Sequence, residues 1–470
     1  EYWFEQLIDH NNPSTGTFKQ RYFFSDQYWR GDGYPIILQT PGPTPADDSL
    51  MMIQRGFLQN KMMLELGAAG VILEHRYWGK SSPVPDLTTQ NLQWLTVEQG
   101  AHLTAFLKQY FAENVKLPFN TTSTHPDQTP WILIGCSYSG LLTAYTQEKY
   151  SDVFVAAYAT SAPVQADGNF WEYWDPVEEG MPSNCSSDLK AAVDHMDDLM
   201  LSGESREVIK LKKKFGLQSL KDDDFANALT YPLTTWQNLQ PPDFGLKGQA
   251  LFFDFCDAVE TKSDGTINQS DEGVGLPQAL ENWAAYFKAI GPDATCPGTG
   301  GACFSTYNYS SYFYTNTSIS NTMRGWEWLL CTQLGAFPSK RGSIVSGMLD
   351  AAFDDRRCAH LFPSPTGDIQ LSPYNTTQSA DAFNLKYGGW NLIAKNLFVV
   401  NGQFDPWRSA SLSSRAAPAF VDVPSQEIIV IPNGHHCWDW STDNAAVNPD
   451  VAQVQDLGIS TIRFWLEQWY

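Results

Sequence analysis

The stretch WILIGCSYSG, residues 131–140, joins an apolar run of strand type to a turn of small residues, and a helical pattern follows it. A strand, a sharp turn and a helix with serine at the apex are typical of a nucleophile elbow, which holds the serine hydroxyl clear of the sheet. The turn requires small residues two positions before and after the serine, and Gly135 and Ser139 meet this requirement. The stretch therefore predicts Ser137 as a nucleophile and the Tyr138 backbone N–H as a donor to a developing oxyanion. A plain Gly/Ser turn before a helix is the structural alternative.

Further apolar runs of strand type lie on both sides of this stretch. They comprise residues 35–39, 70–74, 154–159, 396–400 and 427–431. A helical pattern at 97–111 separates two of the strands in the first part of the chain. Continuous apolar strands separated by helices indicate a sheet that is buried on both faces and is mostly parallel. The sequence therefore predicts an α/β fold.

The middle of the chain has a different pattern. Amphipathic helices alternate there with loops rich in Pro, Gly, Ser and Asn, and six of the eight cysteines lie between Cys185 and Cys358. We therefore expect a helical, disulfide-containing insertion at residues 166–380, between a first core part at 1–165 and a second core part at 381–470.

The two strands near the C-terminus are each followed by a polar loop. The first loop, NGQFDPW at residues 401–407, contains Asp405, and the second, PNGHHC at 432–437, contains the pair His435 and His436. A triad of this type has the chain order serine, acid, histidine, each after a strand. We therefore predict Asp405 as the acid and a histidine of the pair as the base, against the alternatives of a surface carboxylate and merely polar histidines. Of the remaining histidines, His75 stays a candidate because it also lies in a loop after a strand.

Charge and composition exclude several other classes. The chain has 470 residues, with 30 basic and 52 acidic side chains and a formal net charge of −22. This sign argues against a nucleic-acid partner or an anionic membrane partner, because phosphate would be repelled. The hydrophobic content of 43% is enough for a large core, and no apolar run is long enough to span a bilayer. No Cys or His cluster has zinc spacing, so we expect no metal and no cofactor.

Several individually weak sequence features indicate an oxidising compartment. The number of cysteines is even, the sequence pI is about 4.6, and the chain starts without a leader-like segment, as a processed mature form would. Six N-x-S/T sequons are candidate glycosylation sites: Asn120, Asn184, Asn268, Asn308, Asn316 and Asn375. We therefore expect a secreted glycoprotein suited to acid.

Two cysteines lie outside the insertion and adjoin the candidate catalytic segments. Cys136 precedes Ser137, and Cys437 follows the histidine pair. Because a triad brings these loops together, we expect a Cys136–Cys437 disulfide, with two small buried thiols as the alternative. Within the insertion, Cys296–Cys303 is the favoured short bridge, and the other four cysteines leave three possible pairings.

Several motifs resemble those of the serine carboxypeptidase-like S28 peptidases. They are the elbow at 135–140, the N-G-x-x-D-P-W pattern at 401–407, Gly-His-His at 434–436, Glu-His-Arg-Tyr-Trp-Gly at 74–79 and Ser-Ala-Pro at 161–163. The likeness extends from near residue 5 to the terminal helix, is weakest in the insertion, and is greatest to the secreted fungal acid prolyl endoproteases of this family. The sequence departs from the family at Cys136 and Ser139, where glycine is usual.

The resemblance implies an α/β-hydrolase core with a large inserted helical cap and cleavage after proline in peptide and protein substrates. It assigns Ser137 as the nucleophile, Asp405 as the acid and His435, the first histidine of the pair, as the base. By analogy with other hydrolases of this fold, the loop after the first core strand supplies a second oxyanion donor, and Gly42 is the candidate.

The proline pocket is expected to contain an aromatic wall. Trp407 in the D-P-W motif is the first candidate for this wall, and Trp438, just after the histidine pair, is the second. The resemblance favours an endopeptidase active at acid pH. A proline-specific carboxypeptidase or dipeptidyl peptidase, a carboxylesterase or lipase, and a catalytically silent binding protein are the alternatives.

Overall fold

The structure of the chain is a computed structural model. It describes residues 1–106, 123–241, 251–295, 302–339, 344–363, 374–418 and 425–469. The predicted helix at 97–111 begins at Val97 and is described as far as Phe106. Among the described residues, no helix is both long enough and apolar enough to cross a bilayer.

In the described part of the chain, eight strands form one sheet with the order β1-β2-β4-β3-β5-β6-β7-β8. The strands are β1 (Tyr2–Leu7), β2 (Thr17–Ser25), β3 (Ile36–Gln39), β4 (Ala69–Leu73), β5 (Trp131–Cys136), β6 (Ala156–Thr160), β7 (Leu397–Gly402) and β8 (Gln426–Ile431). Strands β1 and β2 pair antiparallel, β2 pairs antiparallel with β4, and the pairs from β4 through β3 to β8 are parallel. The predicted α/β fold with a mostly parallel sheet is therefore confirmed.

The described α-helices follow in chain order. They are α1 (Leu58–Leu66), α2 (Val97–Phe106), α3 (Tyr138–Lys149), α4 (Asp175–Gly180), α5 (Ser183–Leu201), α6 (Ser205–Lys214), α7 (Asp222–Leu229), α8 (Tyr231–Thr234), α9 (Leu251–Val259), α10 (Leu276–Thr295), α11 (Tyr312–Thr315), α12 (Thr322–Leu329), α13 (Ala351–Leu361), α14 (Thr376–Tyr387), α15 (Thr442–Val447) and α16 (Pro449–Trp469).

Burial explains the apolar strand sequences. Every residue of β3, β4, β6 and β7 is buried, as expected for strands with both faces covered. Helices α1 and α16 contribute Leu58, Met62 and Ile462 to a cluster with Ile132 of β5 and Phe398 of β7. Because parallel strands end at the same edge of a sheet, this core places the loops after β5, β7 and β8 along one edge.

The chain divides into two compact units. The first contains residues 1–167, 317–335 and 378–470, and the second contains 168–316 and 336–377. The predicted insertion at 166–380 is therefore interrupted, because residues 317–335 belong to the first unit. In that segment Gln333 accepts a hydrogen bond from the Val97 N–H at 3.0 Å, and the Trp328 indole donates to Leu95 O at 3.0 Å. These contacts with distant residues leave no signal in local sequence.

The second unit is helical, and a disulfide joins its helices α5 and α9 through Cys185 and Cys256. Phe215, Phe225 and Trp283 form an aromatic cluster inside it. Of the other cysteines expected in the insertion, Cys303, Cys331 and Cys358 are also disulfide-bonded. Cys296 lies outside the described residues, so the Cys296–Cys303 bridge stays a prediction.

Candidate active site

The turn between β5 and α3 has the geometry of a nucleophile elbow. Ser137 has φ 61° and ψ −128°, a conformation that residues with a side chain rarely adopt and that often marks a functional site. A Cβ on Gly135 would lie 2.3 Å from the Ser139 carbonyl oxygen, and a Cβ on Gly140 would lie 2.7 Å from the Thr160 oxygen. Larger residues at these positions would force the turn open, so the small residues of this stretch make the elbow possible.

The backbone around Ser137 is held from both sides. Its N–H donates to Thr160 O at the end of β6 at 2.9 Å, and its carbonyl accepts from Leu141 N–H at 2.9 Å. Tyr138 is the first residue of α3, and the first N–H groups of a helix have no partner within the helix. The Tyr138 amide is thereby placed next to the nucleophile, where the oxyanion role requires it.

The loop that follows β3 is tied directly to the elbow. The Ser139 hydroxyl donates to the Thr40 carbonyl, and the Gly42 carbonyl accepts from Thr44 N–H at 2.7 Å. The departure from glycine at Ser139 therefore adds a hydrogen bond between the elbow and the loop that contains Gly42. This contact supports Gly42 as a candidate for the second oxyanion donor, which stays a prediction.

Asp405 lies in the loop after β7 and is completely buried. Its Oδ1 accepts from the Trp407 N–H at 2.9 Å and so caps a short 3-10 helix, Pro406–Ala410. A Cβ on Gly402, at the end of β7, would lie 2.4 Å from the Gly434 backbone. The absence of a side chain at Gly402 therefore permits the acid loop and the histidine loop to touch.

The structure brings His436, and not the expected His435, into contact with Asp405. Nδ1 of His436 lies 3.0 Å and 3.1 Å from the two carboxylate oxygens of Asp405, whereas His435 packs between the rings of Phe404 and Trp438, at centroid distances of 6.2 Å and 5.2 Å. His435 is 2% exposed, and the His436 side chain is 16% exposed. The histidine that contacts Asp405 is therefore His436, whereas His435 is buried against Phe404 and Trp438.

The contact between Asp405 and His436 fixes the imidazole. A carboxylate accepts only from a protonated nitrogen, so Nδ1 carries the hydrogen and Nε2 is left as the acceptor. The backbone strengthens this arrangement, because Phe404 N–H donates to Gly434 O at 2.8 Å and Asn433 N–H donates to the Gln403 side chain at 3.0 Å.

The expected disulfide between Cys136 and Cys437 is confirmed, with 6.1 Å between the two Cα atoms. Cys136 immediately precedes Ser137, and Cys437 immediately follows His436. Since consecutive Cα atoms are about 3.8 Å apart, the bridge holds the Cα atoms of Ser137 and His436 within about 14 Å of each other. The bridge thus tethers the nucleophile segment to the base segment.

The two candidate pocket tryptophans differ in their surroundings. The Trp407 ring centroid lies 6.4 Å from the His436 ring, and Trp407 is partly exposed, so it can border a substrate at the base. Trp438 is 3% exposed, stacks on His435 and belongs to the core cluster of the sheet. The burial of its ring argues against Trp438 as a pocket residue and favours Trp407.

The Glu-His-Arg-Tyr-Trp-Gly motif stabilises the loop after β4. The buried Glu74 carboxylate binds the Arg21 guanidinium and accepts from the N–H groups of Ala46 and Lys80, each at 3.0 Å. Gly79 has φ +57°, and a Cβ there would lie 1.9 Å from the Glu74 carboxylate. The motif thus fixes this loop and supplies no group to the triad.

His75, from the same motif, lies beneath the elbow. Its Nδ1 is 2.7 Å from Arg76 O, and its Nε2 is 3.3 Å from the Tyr138 hydroxyl. Burial lowers the pKa of His75 to about 4, so the ring is neutral over most of the acid range. His75 therefore supports the Tyr138 side chain, and its buried position does not suit a catalytic base.

A buried carboxyl group that sequence reasoning missed lies in the histidine loop. Asp439 is fully enclosed and accepts from the Tyr158 hydroxyl at 2.7 Å and the Thr160 hydroxyl at 2.5 Å. Burial is the main cause that raises its pKa, and the charge of Asp405 acts in the same direction.

The candidate glycosylation sites differ in accessibility. The Nδ2 of Asn268 donates to Glu260 and to Ser270 O, and Asn268 is buried, so a glycan there does not fit the folded chain. The Nδ2 of Asn184 donates to Asn268 O at 2.9 Å. Asn308 and Asn375 are exposed and Asn316 is partly exposed, whereas Asn120 lies outside the described residues.

Comparison with known proteins agrees with this geometry. The profile of the family described as Serine carboxypeptidase S28 matches residues 6–457. The chain is 37% identical to the serine protease vicPa of Bipolaris victoriae, over 98% of this chain and 88% of that protein. It is 28% identical to a protein of Arthroderma benhamiae named "Probable extracellular serine carboxypeptidase", over 91% of this chain and 60% of that one. It is 25% identical to the lysosomal Pro-X carboxypeptidase of Pongo abelii, over 100% of this chain and 88% of that enzyme. The chain therefore belongs to the serine carboxypeptidase S28 family and is a serine peptidase.

Proposed function

We propose that the protein is a secreted endopeptidase that hydrolyses peptide bonds on the carboxyl side of proline at acid pH, with Ser137, His436 and Asp405 as its triad. The observation that carries the proposal is the contact of the buried Asp405 carboxylate with His436, at 3.0 Å, in a loop bridged by a disulfide to the elbow of Ser137.

Each proton transfer in the proposed reaction is assigned to a residue of the triad. Ser137 Oγ attacks the carbonyl carbon while His436 Nε2 takes the hydroxyl proton, and Asp405 stabilises the imidazolium that forms. His436 then returns the proton to the leaving amine as the peptide C–N bond breaks. A water molecule attacks the resulting ester and gives its proton to His436, which releases the acid product and restores the Ser137 hydroxyl. The Tyr138 N–H, with Gly42 as the candidate second donor, stabilises the oxyanion of both tetrahedral intermediates.

The preference for proline is attributed to the partly exposed Trp407. Proline is rigid, with φ fixed near −65°, and loses little conformational entropy on binding. A flat aromatic surface beside the base suits its ring, and the Trp407 ring lies 6.4 Å from that of His436. The name of the Pro-X carboxypeptidase relative is consistent with a proline preference in this family.

Buried carboxyl groups support operation at acid pH. Burial, with a contribution from nearby Asp188, raises the pKa of Glu260 to about 7, and burial also raises the pKa of Asp224 and Asp439. A raised pKa means that these groups bind their protons more tightly in the folded chain than in the unfolded chain, so the fold loses stability as the pH rises through their pKa values. Secretion is supported by the extracellular description of one relative and by the disulfide-bonded cysteines.

A proline-specific exopeptidase is the second candidate, because two relatives are named as carboxypeptidases. The test uses one internal Pro-Ala bond in three peptides: blocked at both ends, with a free carboxyl terminus one residue after proline, and with a free amino terminus one residue before it. We expect the doubly blocked peptide to be cleaved after proline at pH 4 with kcat/KM comparable to the others. Cleavage that requires a free carboxyl terminus would establish a carboxypeptidase, and cleavage that requires a free amino terminus would establish a dipeptidyl peptidase.

A further inference from the structure

The end of β6 contacts both catalytic segments through two consecutive residues. The Thr160 carbonyl accepts from the Ser137 N–H at 2.9 Å, and the Ser161 hydroxyl accepts from the Cys437 N–H at 2.9 Å. Cys437 follows His436, so adjacent residues of one strand end hold the nucleophile on one side and the residue beside the base on the other. This places Ser137 and His436 in a common frame fixed to the sheet.

Ser161 adopts an unusual backbone conformation at this point. Its φ is 50°, it is completely buried, and its N–H donates to Val400 O of β7 at 2.8 Å. Glycine takes this conformation at lower cost than serine. Serine, unlike glycine, has a side-chain oxygen, and this oxygen accepts a hydrogen bond from the Cys437 N–H.

The direction of the Cys437 N–H determines the placement of His436. A peptide unit is planar, and the unit between the two residues contains the Cα of His436 together with the N–H of Cys437. A hydrogen bond that fixes this N–H therefore also fixes the plane from which the His436 side chain projects. The Cys136–Cys437 bridge acts on the same residue, but it joins side chains through rotatable bonds and limits distance more than direction.

We propose that Ser161 is a positioning residue for the catalytic base, acting through its hydrogen bond to Cys437 so that His436 Nε2 is directed at Ser137. This role rests on the proposed triad. Asp405 aligns the imidazole from its Nδ1 side, and Ser161 aligns the backbone that carries it. Ser161 contacts neither Ser137 nor substrate in this role, so its loss slows the chemical step and leaves substrate binding unchanged.

The test replaces Ser161 by glycine, which removes the hydroxyl and accommodates the positive φ. The matched control is Asn433→Gly, because Asn433 lies in the same histidine loop with φ 54°, is exposed, and keeps its backbone N–H bond to Gln403 after substitution. For both variants the measurements are kcat and KM on a proline peptide, the rate constant of labelling by a fluorophosphonate, and the thermal unfolding temperature.

We expect S161G to lower kcat and the labelling rate constant by the same factor, about tenfold or more, with KM within about twofold. N433G should stay within about twofold in all three quantities. Ser161→Ala, which keeps the Cβ, tests the same oxygen if the glycine variant does not fold. Ser161→Asn, which tolerates positive φ and supplies a side-chain oxygen, should be more active than the glycine variant.

An unchanged kcat in both S161G and Ser161→Ala would overturn the role, and so would a rise in KM at constant kcat, which would indicate a substrate contact. A drop in kcat in N433G equal to that in S161G would also overturn it, since general loosening of the loop would then explain both. Failure of the triad itself gives a different result, because Ser137→Ala would then retain activity and the fluorophosphonate would label another residue.

Discussion

The elbow at 131–140 and the histidine loop at 432–440 perform complementary parts of the chemistry but are stabilised in different ways. The sharp turn of the elbow depends on small residues within a few positions of each other, such as Gly135 against the Ser139 backbone. The histidine loop depends on residues far along the chain, with bonds from His436 to Asp405 and from Cys437 to Ser161 and Cys136. The small residues of the turn leave a readable sequence pattern, whereas the bonds of His436 to Asp405 and of Cys437 to Ser161 leave none.

The largest expected effect is in the elbow. Ser137→Ala removes the nucleophile from a turn whose backbone bonds to Thr160 and Leu141 remain intact. We expect kcat to fall by about 10⁴- to 10⁶-fold, the scale for a triad serine, with little change in unfolding temperature. Steady-state kinetics and mass mapping of a fluorophosphonate adduct check this. An adduct on another serine would contradict the assignment.

The next prediction separates the two histidines. His436→Asn removes Nε2, the ring nitrogen proposed to take the Ser137 proton, and should lower kcat by about 10³-fold or more, because the members of the triad act as a unit. His435→Asn removes the ring that packs against Trp438 and Phe404 and should mainly lower the unfolding temperature. The ratio of the two kcat values, measured where both variants are folded, is the readout. A larger kcat loss in His435→Asn would mean that the base is His435 after all.

Disruption of the bridge between the two regions should cost stability as well as rate. Replacement of both Cys136 and Cys437 by serine removes a covalent bridge between residues that are 301 positions apart. This change should lower the free energy of unfolding by about 2–5 kcal/mol. We also expect slower fluorophosphonate labelling, because the nucleophile and base segments lose a tether.

The matched control is the Cys185/Cys256 pair, whose sequence separation is 71 and which lies in the second unit. Its double serine variant should lose stability but keep the labelling rate at temperatures where it is folded. Equal losses of labelling rate in the two double variants would show that the first bridge has no special role in the site.

A smaller effect distinguishes the two tryptophans. Trp407→Ala should weaken cleavage after proline by about 1–3 kcal/mol of transition-state binding, the scale of a small apolar pocket contact, and cleavage after alanine should suffer less. Trp438→Phe should lower stability without changing the ratio of kcat/KM for proline and alanine peptides, because its ring is buried against His435. If Trp407→Ala lowers kcat/KM for the proline peptide and the alanine peptide by the same factor, its ring supports the Asp405 loop and does not contact proline.

The smallest expected effect concerns pH and the buried Asp439 of the histidine loop. Burial raises its pKa, so the folded chain keeps this proton at pH values where the unfolded chain has lost it. Its contribution to stability is therefore present in acid and is lost as the pH rises. The unfolding temperature of the parent should fall more between about pH 4 and pH 7 than that of Asp439→Asn. Parallel curves for the two proteins would contradict this.

The sequence by itself determined the elbow, the strands and the positions of the acid and histidine loops. The small residues around Ser137 and the continuous apolar runs reflect contacts within one turn or one element, and the chain order of Ser137 and Asp405 is read directly from the sequence. The disulfide between Cys136 and Cys437 could also be predicted from the sequence, since both cysteines adjoin segments that a triad must bring together.

Only the tertiary structure decided which histidine faces Asp405, which tryptophan is buried, and that residues 317–335 belong to the first unit. His435 and His436 are identical in chemistry and adjacent in sequence, so no local pattern separates them. Their roles differ because the loop turns one ring toward a carboxylate contributed by β7 and the other toward Phe404 and Trp438. Packing between distant segments sets that direction, and it is fixed only when the sheet has assembled.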